Sequence, residues 1–232
     1  MNRRIMLKLS GEALSGSKDF GFDEELLLNI CNQIKSAKDA GNEICLLVGG
    51  GNFLRGRDLK NIDQVKADQI GMLSTVMNGI FVSEMLKSIG IEVDIYSAFA
   101  CEGIVDIFSK DKAVDSIKKG RVVLFVGGTG HPYFTTDTGV VLRALEMDCT
   151  EILFAKSVDG VYDSDPKINP NAKKYDSITF NEILEKNLEV VDKTCIALIA
   201  NQDITLRLFA LNIDNSIKKA INGEKIGTIV TK

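Results

Sequence analysis

The sequence predicts an α/β fold, a mainly parallel open sheet with helices on both faces. Three observations carry that expectation. Short apolar runs alternate along the chain with longer stretches of helical period, as strand and crossover helix must. The run Ile44-Cys45-Leu46-Leu47-Val48 is apolar throughout, which suits a strand covered on both faces. No linker rich in proline, glycine or serine and no internal repeat divides the 232 residues, so residues 1–232 read as one domain with two lobes.

The elements follow in order. Ile5, Leu7 and Leu9 alternate with Met6, Lys8 and Ser10, a period of two that predicts a strand ending at Ser10-Gly11, with Lys8 near its C-terminal end. Asp23 is placed to cap a helix whose apolar positions Leu26, Leu27, Ile30, Ile34 and Ala37 keep helical spacing, and Gly41 ends it. After the strand at 44–48 and its Gly49-Gly50-Gly51 break, a long helix is expected from Val65 to Ser88. Ile70, Leu73, Val76, Met77, Ile80 and Met85 are read as its buried stripe, and Gly90 as its stop. Further strands are expected at 91–96, 121–126, 151–155, 204–209 and 227–231. Helices are expected between them at 111–119, 138–146, 180–186 and 193–201.

Composition narrows the function classes. A formal net charge of −4 without a long basic run gives no electrostatic footprint for nucleic acid. The first residues carry an apolar run cut short by Lys8, unlike a signal peptide, and no apolar run approaches the ~18 residues of a membrane span, so a cytoplasmic protein with no membrane partner is expected. Five scattered cysteines without a CxxC pair read as small core residues rather than a zinc site.

Ligands of open α/β sheets bind beyond the C-terminal ends of the strands. Three strands here end in glycine: Lys8-Leu9-Ser10-Gly11, Gly49-Gly50-Gly51 followed by Arg55, and Gly127-Gly128-Thr129-Gly130. Any one of them fits a tight turn, but together, with two cations, they suit the backbone cradle of a phosphorylated ligand. No Gly-Lys dipeptide occurs and Gly49-x-Gly51-x-x-Leu54 lacks its third glycine, which removes the P-loop and the dinucleotide fingerprint. His131 is the only histidine and sits between Gly130 and Pro132, a loop lining rather than a base. Asp159, Asp163 and Asp165 are read as turn or capping residues as readily as ligands, whereas Asp137, at a helix start beyond a Gly/Thr-rich loop, is the best candidate near phosphates and their metal.

Taken in order, these motifs resemble the bacterial UMP kinases of the amino acid kinase family. The resemblance runs from Lys8-Leu9-Ser10-Gly11-Glu12-Ala13-Leu14 through Gly49-Gly50-Gly51-Asn52 and Arg55-Gly56 to the stretch from Asp68 to Gly79. It continues with Gly128-Thr129-Gly130-His131-Pro132-Tyr133-Phe134-Thr135-Thr136-Asp137, Val158-Asp159-Gly160-Val161-Tyr162 and Asp165-Pro166. It implies a three-layer sandwich and transfer of the γ-phosphoryl group of ATP to UMP with Mg2+. ATP is then expected at Lys8, Leu9, Ser10, Gly11, Gly51 and Arg55, with Lys156, Tyr162 and Asp165 on the adenine and ribose side. UMP is expected at Gly50, Asp68 and the loop Thr129, Gly130, His131, Pro132, Tyr133, Phe134, Thr135 and Thr136. Gly16-Ser17-Lys18-Asp19-Phe20-Gly21 is similar to a GTP-responsive loop, and the resemblance further implies GTP activation, UTP inhibition and a homohexamer.

Phosphoryl transfer needs alignment and charge stabilisation rather than a protein nucleophile. Lys8 is therefore assigned to the transferring group, Arg55 to charge balance, and Asp137 either to orienting Lys8 or to holding Mg2+. Two other readings remain at this point: a carbamate or amino acid kinase of the same family, and a non-catalytic nucleotide-binding or storage protein. The segment Ala155-Lys156-Ser157 departs from the Thr-Lys or Lys-Asn-Asn of relatives, as do Asn201, Thr205 and Ala210 from their Asp, Pro and Asn.

Overall fold

A computed structural model describes residues 3–54, 61–156, 158–166, 168–188 and 191–232. The elements in chain order are β1 (Arg4–Leu9), α1 (Gly11–Ser15), α2 (Glu24–Asp39), β2 (Glu43–Val48), α3 (Gln64–Ser88), β3 (Val93–Ser97), β4 (Asp106–Ile107) and α4 (Lys110–Lys118). They continue with β5 (Val122–Val126), α5 (Thr136–Glu146), β6 (Glu151–Lys156), β7 (Ser177–Thr179), α6 (Phe180–Glu185), α7 (Lys193–Ile199), β8 (Thr205–Ala210), α8 (Ser216–Ile221) and β9 (Thr228–Thr231).

The nine strands form one sheet in the order β4-β3-β5-β2-β1-β6-β8-β9-β7. Every pairing is parallel except β8 with β9. Parallel pairing follows from the helical crossovers between strands, and those helices cover both faces. One core layer joins Leu27, Ile30 and Ile34 of α2, Val76, Val82 and Leu86 of α3 and Ile217 of α8 to the sheet through Ile5, Leu7 and Leu46. The other joins Val140, Val141 and Ala144 of α5, Phe180 of α6 and Ile196 and Ile199 of α7 through Met6, Leu47 and Phe125. These layers make the expected three-layer sandwich. At its centre β1 lies between β2 and β6, so the C-terminal ends of β1, β2, β5 and β6 open at the point where the connections turn to opposite sides of the sheet.

Local signals account for most boundaries. Asp23 caps α2 by accepting a hydrogen bond from Leu26 N at 3.1 Å. Thr135 caps α5, and Thr179 with Glu182 forms a capping box at α6. The alternation in β1 does not separate a wet from a dry face: Met6 is fully buried and Lys8 nearly so, because α5 covers the second side.

The long helix corrects one expectation. Val76 is buried and Met85 partly buried against the core, but Ile70, Leu73, Met77 and Ile80 face outward, with Leu73 51% and Met77 48% exposed. The buried side of α3 carries Ser74, Thr75, Asn78 and Gly79 alongside Val76, Val82 and Leu86. A helix with apolar residues all round has no single greasy stripe to mark its inner side. The small and polar residues won that side because α3 packs closely on loop backbone as well as on strands.

Candidate active site

Two contiguous hollows open at the strand ends. The larger, of about 680 Å³, is floored by Lys8, Ser10 and Gly11 after β1 and by Gly49, Gly50 and Gly51 after β2. Its walls are Asp68 of α3, the segment from Tyr133 to Asp137, and Lys156 at the end of β6. The smaller, about 200 Å³, shares Gly50, Gly51, Asp68, Phe134 and Thr136 with it and runs on to Gly71 and Thr75 of α3 and to Gly128, Thr129 and His131. Two chambers meeting over one glycine loop give the layout a two-substrate transfer requires.

Close backbone approach builds the floor. A Cβ on Gly11 would lie 2.6 Å from Asn52 N and 2.8 Å from Gly51 Cα, so only glycine lets the two strand-end turns touch. One on Gly50 would meet Gly71 O at 2.8 Å and Ser74 Cβ at 2.9 Å, so the loop lies directly on α3.

In the larger hollow stand two cations and one carboxylate. Lys8 Nζ is 2.9 Å from Asp137 Oδ1, and Lys156 Nζ is 3.2 Å from Asp137 Oδ2. All three side chains are at least four-fifths buried. Burial alone would raise the Asp137 carboxyl, but the charges of Lys8 and then Lys156, with their hydrogen bonds, outweigh it and hold the group below its ordinary value. Lys156 is held below the ordinary lysine value, first by burial and also by the charge of Lys8, against the pull of Asp137. With both lysines protonated, the trio carries one net positive charge beside the first turn of α5, whose N–H groups also favour an anion.

The sequence assigned Lys156 to the adenine and ribose side, and the structure sets its side chain beside Asp137 and Lys8. Because β6 pairs with β1 in register, Leu9 beside Ala155, the Lys156 side chain emerges on the same side as that of Lys8. Asp137, left open between orienting Lys8 and holding a metal, pairs with both lysines. Its Oδ1 nevertheless has no aligned hydrogen bond despite the close ammonium, so that buried oxygen keeps capacity for a further partner.

Asp68 does more than line the wall. Its Oδ2 accepts from Tyr133 N at 2.8 Å and its Oδ1 from Gln64 Nε2 at 2.8 Å, which latches the 129–136 loop onto α3. Tyr133 is held at φ +69°, a backbone state unusual for a tyrosine, and its ring is 75% exposed at the mouth. Of the remaining expected residues, Leu9 has its side chain wholly in the core, while its carbonyl accepts from Gly49 N at 2.8 Å. Gly130 closes a turn on Gly127 O at 2.9 Å, and neither it nor Pro132 lines either hollow. Tyr162 and Asp165 line a separate depression of about 470 Å³ with Lys186 and Leu188. Arg55 lies outside the described residues.

The loop Gly16 to Gly21 leaves α1 beside the floor. Phe20 packs edge-on against Phe53, Lys18 Nζ donates to Phe22 O at 2.8 Å, and Gly21 is tied to Asn52 by two hydrogen bonds. Asp159 pairs with Tyr162 and Lys174, and Asp163 closes a turn through Lys173 N, so both serve local structure. Sequence reasoning passed over Asp192, whose Oδ2 accepts from Thr135 Oγ1 at 3.0 Å and so steadies the start of α5. Its place just before the first residue of α7 is a capping signal that was there to read.

The Amino acid kinase family profile matches residues 3–210. Among solved structures, UMP kinase from Ureaplasma parvum shares 37% identity over 100% of both chains with a TM-score of 0.95. UMP kinase from Bacillus anthracis shares 34% over 98% of this chain and 95% of its own, with a TM-score of 0.94. Uridylate kinase from Archaeoglobus fulgidus shares 26% over 97% and 99%, with a TM-score of 0.75. A family match over most of its length shows that the chain belongs to the amino acid kinase family, and its full-length similarity among these structures runs to UMP kinases.

Proposed function

We propose that the protein transfers the γ-phosphoryl group of ATP to UMP, giving ADP and UDP. The observation that carries this reading is the Lys8–Asp137–Lys156 trio, an anion receptor of net charge plus one in the larger hollow, which opens into the smaller one over Gly50 and Gly51. A phosphate oxygen of UMP forms the new P–O bond to the γ-phosphorus while the bond to the β–γ bridging oxygen breaks, and ADP leaves with the electron pair. The acceptor is already an anion, so no general base is required. Lys8 and Lys156 stabilise the charge spreading over the moving group, and Asp137 keeps both ammonium groups aimed inward. Asp68 accepts hydrogen bonds from ribose hydroxyls, and its charge disfavours a carboxylate in the acceptor chamber, against a carbamate or amino acid substrate.

Among the described residues no three His, Cys, Asp or Glu side chains gather as a metal cage. That suits Mg2+, which keeps waters and takes most of its remaining ligands from nucleotide phosphates, and the unaligned Asp137 Oδ1 fits a single protein contact to it. When bound, the ion would neutralise charge on the β- and γ-phosphates.

The single sheet supports reading residues 1–232 as one domain with an ATP lobe and a UMP lobe. Among the described residues no helix is long and apolar enough to cross a membrane, which is consistent with a cytoplasmic enzyme. The outward stripe Ile70, Leu73, Met77 and Ile80 supports self-association through α3, a two-fold contact within the expected homohexamer. Activation by GTP through Gly16 to Gly21 and inhibition by UTP belong to the same reading. The test is a coupled ADP-release assay with UMP, CMP, dTMP, carbamate, glutamate and aspartate as acceptors. Preference for UMP is expected, and turnover of carbamate or an amino acid in its place would overturn the assignment.

A further inference from the structure

The inner face of α3 carries buried polar side chains that hold the backbone of both substrate loops, Thr75 at the wall of the smaller hollow and Asn78 away from both. Thr75 is 1% exposed and Asn78 fully buried. Thr75 Oγ1 accepts from Gly127 N at 2.7 Å and donates to Met72 O at 2.7 Å, so its proton and one lone pair are spent inside the protein. Gly127 begins the turn that continues through Gly128 and Thr129 into the acceptor chamber. One turn further along the helix, Asn78 Nδ2 donates to Gly49 O at 2.5 Å. The Asn78 amide also pairs reciprocally with that of Asn52, Asn78 Nδ2 to Asn52 Oδ1 at 2.6 Å and Asn52 Nδ2 to Asn78 Oδ1 at 3.0 Å. Asn52 in turn donates to Gly21 O at 3.0 Å.

Two of these bonds satisfy main-chain groups with few other options. Gly127 N and Gly49 O sit where a strand has ended and the sheet ladder no longer supplies partners. A helix is a stiff mount: one rigid element sets the Gly127 turn, the Gly49 floor and, through Asp68, the Tyr133 latch relative to one another.

We propose that Thr75 and Asn78 are positioning residues of the transfer site, Thr75 setting the acceptor turn at Gly127 and Asn78 setting the glycine floor shared by donor and acceptor. This rests on the functional reading above only for the identity of the acceptor. The two roles differ in reach. Losing the Thr75 hydroxyl disturbs the acceptor side alone, whereas losing the Asn78 amide disturbs a floor on which both substrates rest.

The test compares Thr75→Val, Thr75→Ser and Asn78→Ser with the unmodified protein. Steady-state kinetics use ATP and the acceptor chosen by the panel above, and hydrogen exchange is followed at the Gly127 amide. Thr75→Val keeps the shape but strands a buried N–H, so KM for the acceptor is expected to rise about ten- to a hundredfold with KM for ATP within about twofold. The Gly127 amide should lose protection. Thr75→Ser restores the hydroxyl and should return both readouts toward the unmodified values, which a packing role of the methyl group would not do. Asn78→Ser should raise KM for both substrates and lower kcat. Folding of each variant is checked by its denaturation midpoint. If Thr75→Val unfolds, Thr75→Ser with normal KM against Thr75→Ala with a raised acceptor KM makes the same comparison. A Thr75→Val protein that folds, with unchanged acceptor KM and a still protected Gly127 amide, overturns the proposal, as does a rise in KM for ATP equal to that for the acceptor. Failure of UMP in the panel would sink the functional reading instead, and the Thr75 comparison would stand on whichever acceptor is turned over.

Discussion

Replacing Asp137 with asparagine separates a charge role from a packing role, because the side chain keeps its size and loses only its charge. At 2.9 and 3.2 Å and an effective dielectric of about 20, each ion pair with Lys8 and Lys156 contributes about 5 kcal/mol of attraction before desolvation. Burial of the groups offsets most of that, and removing one partner of a buried pair costs about 3–5 kcal/mol because the survivors stay uncompensated. In Asp137→Asn two nearly buried ammonium groups then face each other without the carboxylate that joined them. For a domain of this size the melting temperature should fall by about 6–20 °C at neutral pH. Phosphoryl transfer should fall by at least a hundredfold, the scale for losing a preorganised electrostatic group.

The pH dependence gives a sharper check. Asp137 has a folded pKa below its ordinary 3.8, so its contribution is complete above that value and is lost only as pH falls through the lower folded value. In the variant the pattern reverses. Lys156, already held below the ordinary 10.5, loses the Asp137 charge and gives up its proton more readily, so the stability gap to the wild type should narrow as pH rises through the alkaline range. Urea denaturation midpoints of both proteins across pH 5–10 measure the gap. Equal midpoints at neutral pH, or a gap that does not change with alkalinity, would refute the reasoning.

Lys8→Ala should keep the fold and lose about 2–4 kcal/mol of transition-state stabilisation in kcat/KM, and near-normal turnover would remove Lys8 from the chemistry. Lys156→Arg should extend activity to higher pH, since a guanidinium does not titrate there, and an unchanged alkaline limb would mean that Lys156 does not set it. Asp68→Ala should cost about 1.5–3 kcal/mol in kcat/KM for UMP and less for dUMP, with equal losses excluding contact with the 2′-hydroxyl. If the proposed homohexamer forms through the outward stripe of α3, Leu73→Glu should lower the mass read by light scattering from an oligomer toward the monomer, and an oligomeric mass unchanged by the substitution would place the contact elsewhere.

The sequence was most legible where a local rule has one outcome. Lys8 at a strand end, Asp137 in the first turn of a helix and Asp23 as a cap are each set by neighbours within a few residues. The pairing of Lys156 with Asp137 beside Lys8 was not legible because it depends on which strand lies beside β1, and adjacency of β1 and β6 is a property of the whole sheet. The outward stripe of α3 was read as core because a helix apolar on all sides does not announce which side meets water. Thr75 and Asn78 looked like ordinary helix residues, since their partners are main-chain groups that no spacing rule reveals. The elements α1, β4, β7 and α8, each of six residues or fewer, were not anticipated from the sequence.

The central place of β1 also bears on how the chain is made. The strands β1 to β5 alone would assemble as β4-β3-β5-β2-β1, which leaves β1 on the rim with its partner edge unpaired. That rim reads Arg-Ile-Met-Leu-Lys-Leu, an apolar segment of the kind that recruits other strands. During synthesis at about 5–20 residues per second, it waits a few seconds after β5 emerges before residues 151–156 arrive to cover it. A nascent chain halted between these points is therefore the form of this protein most dependent on a chaperone, and shielding of Ile5 and Leu7 is what it needs.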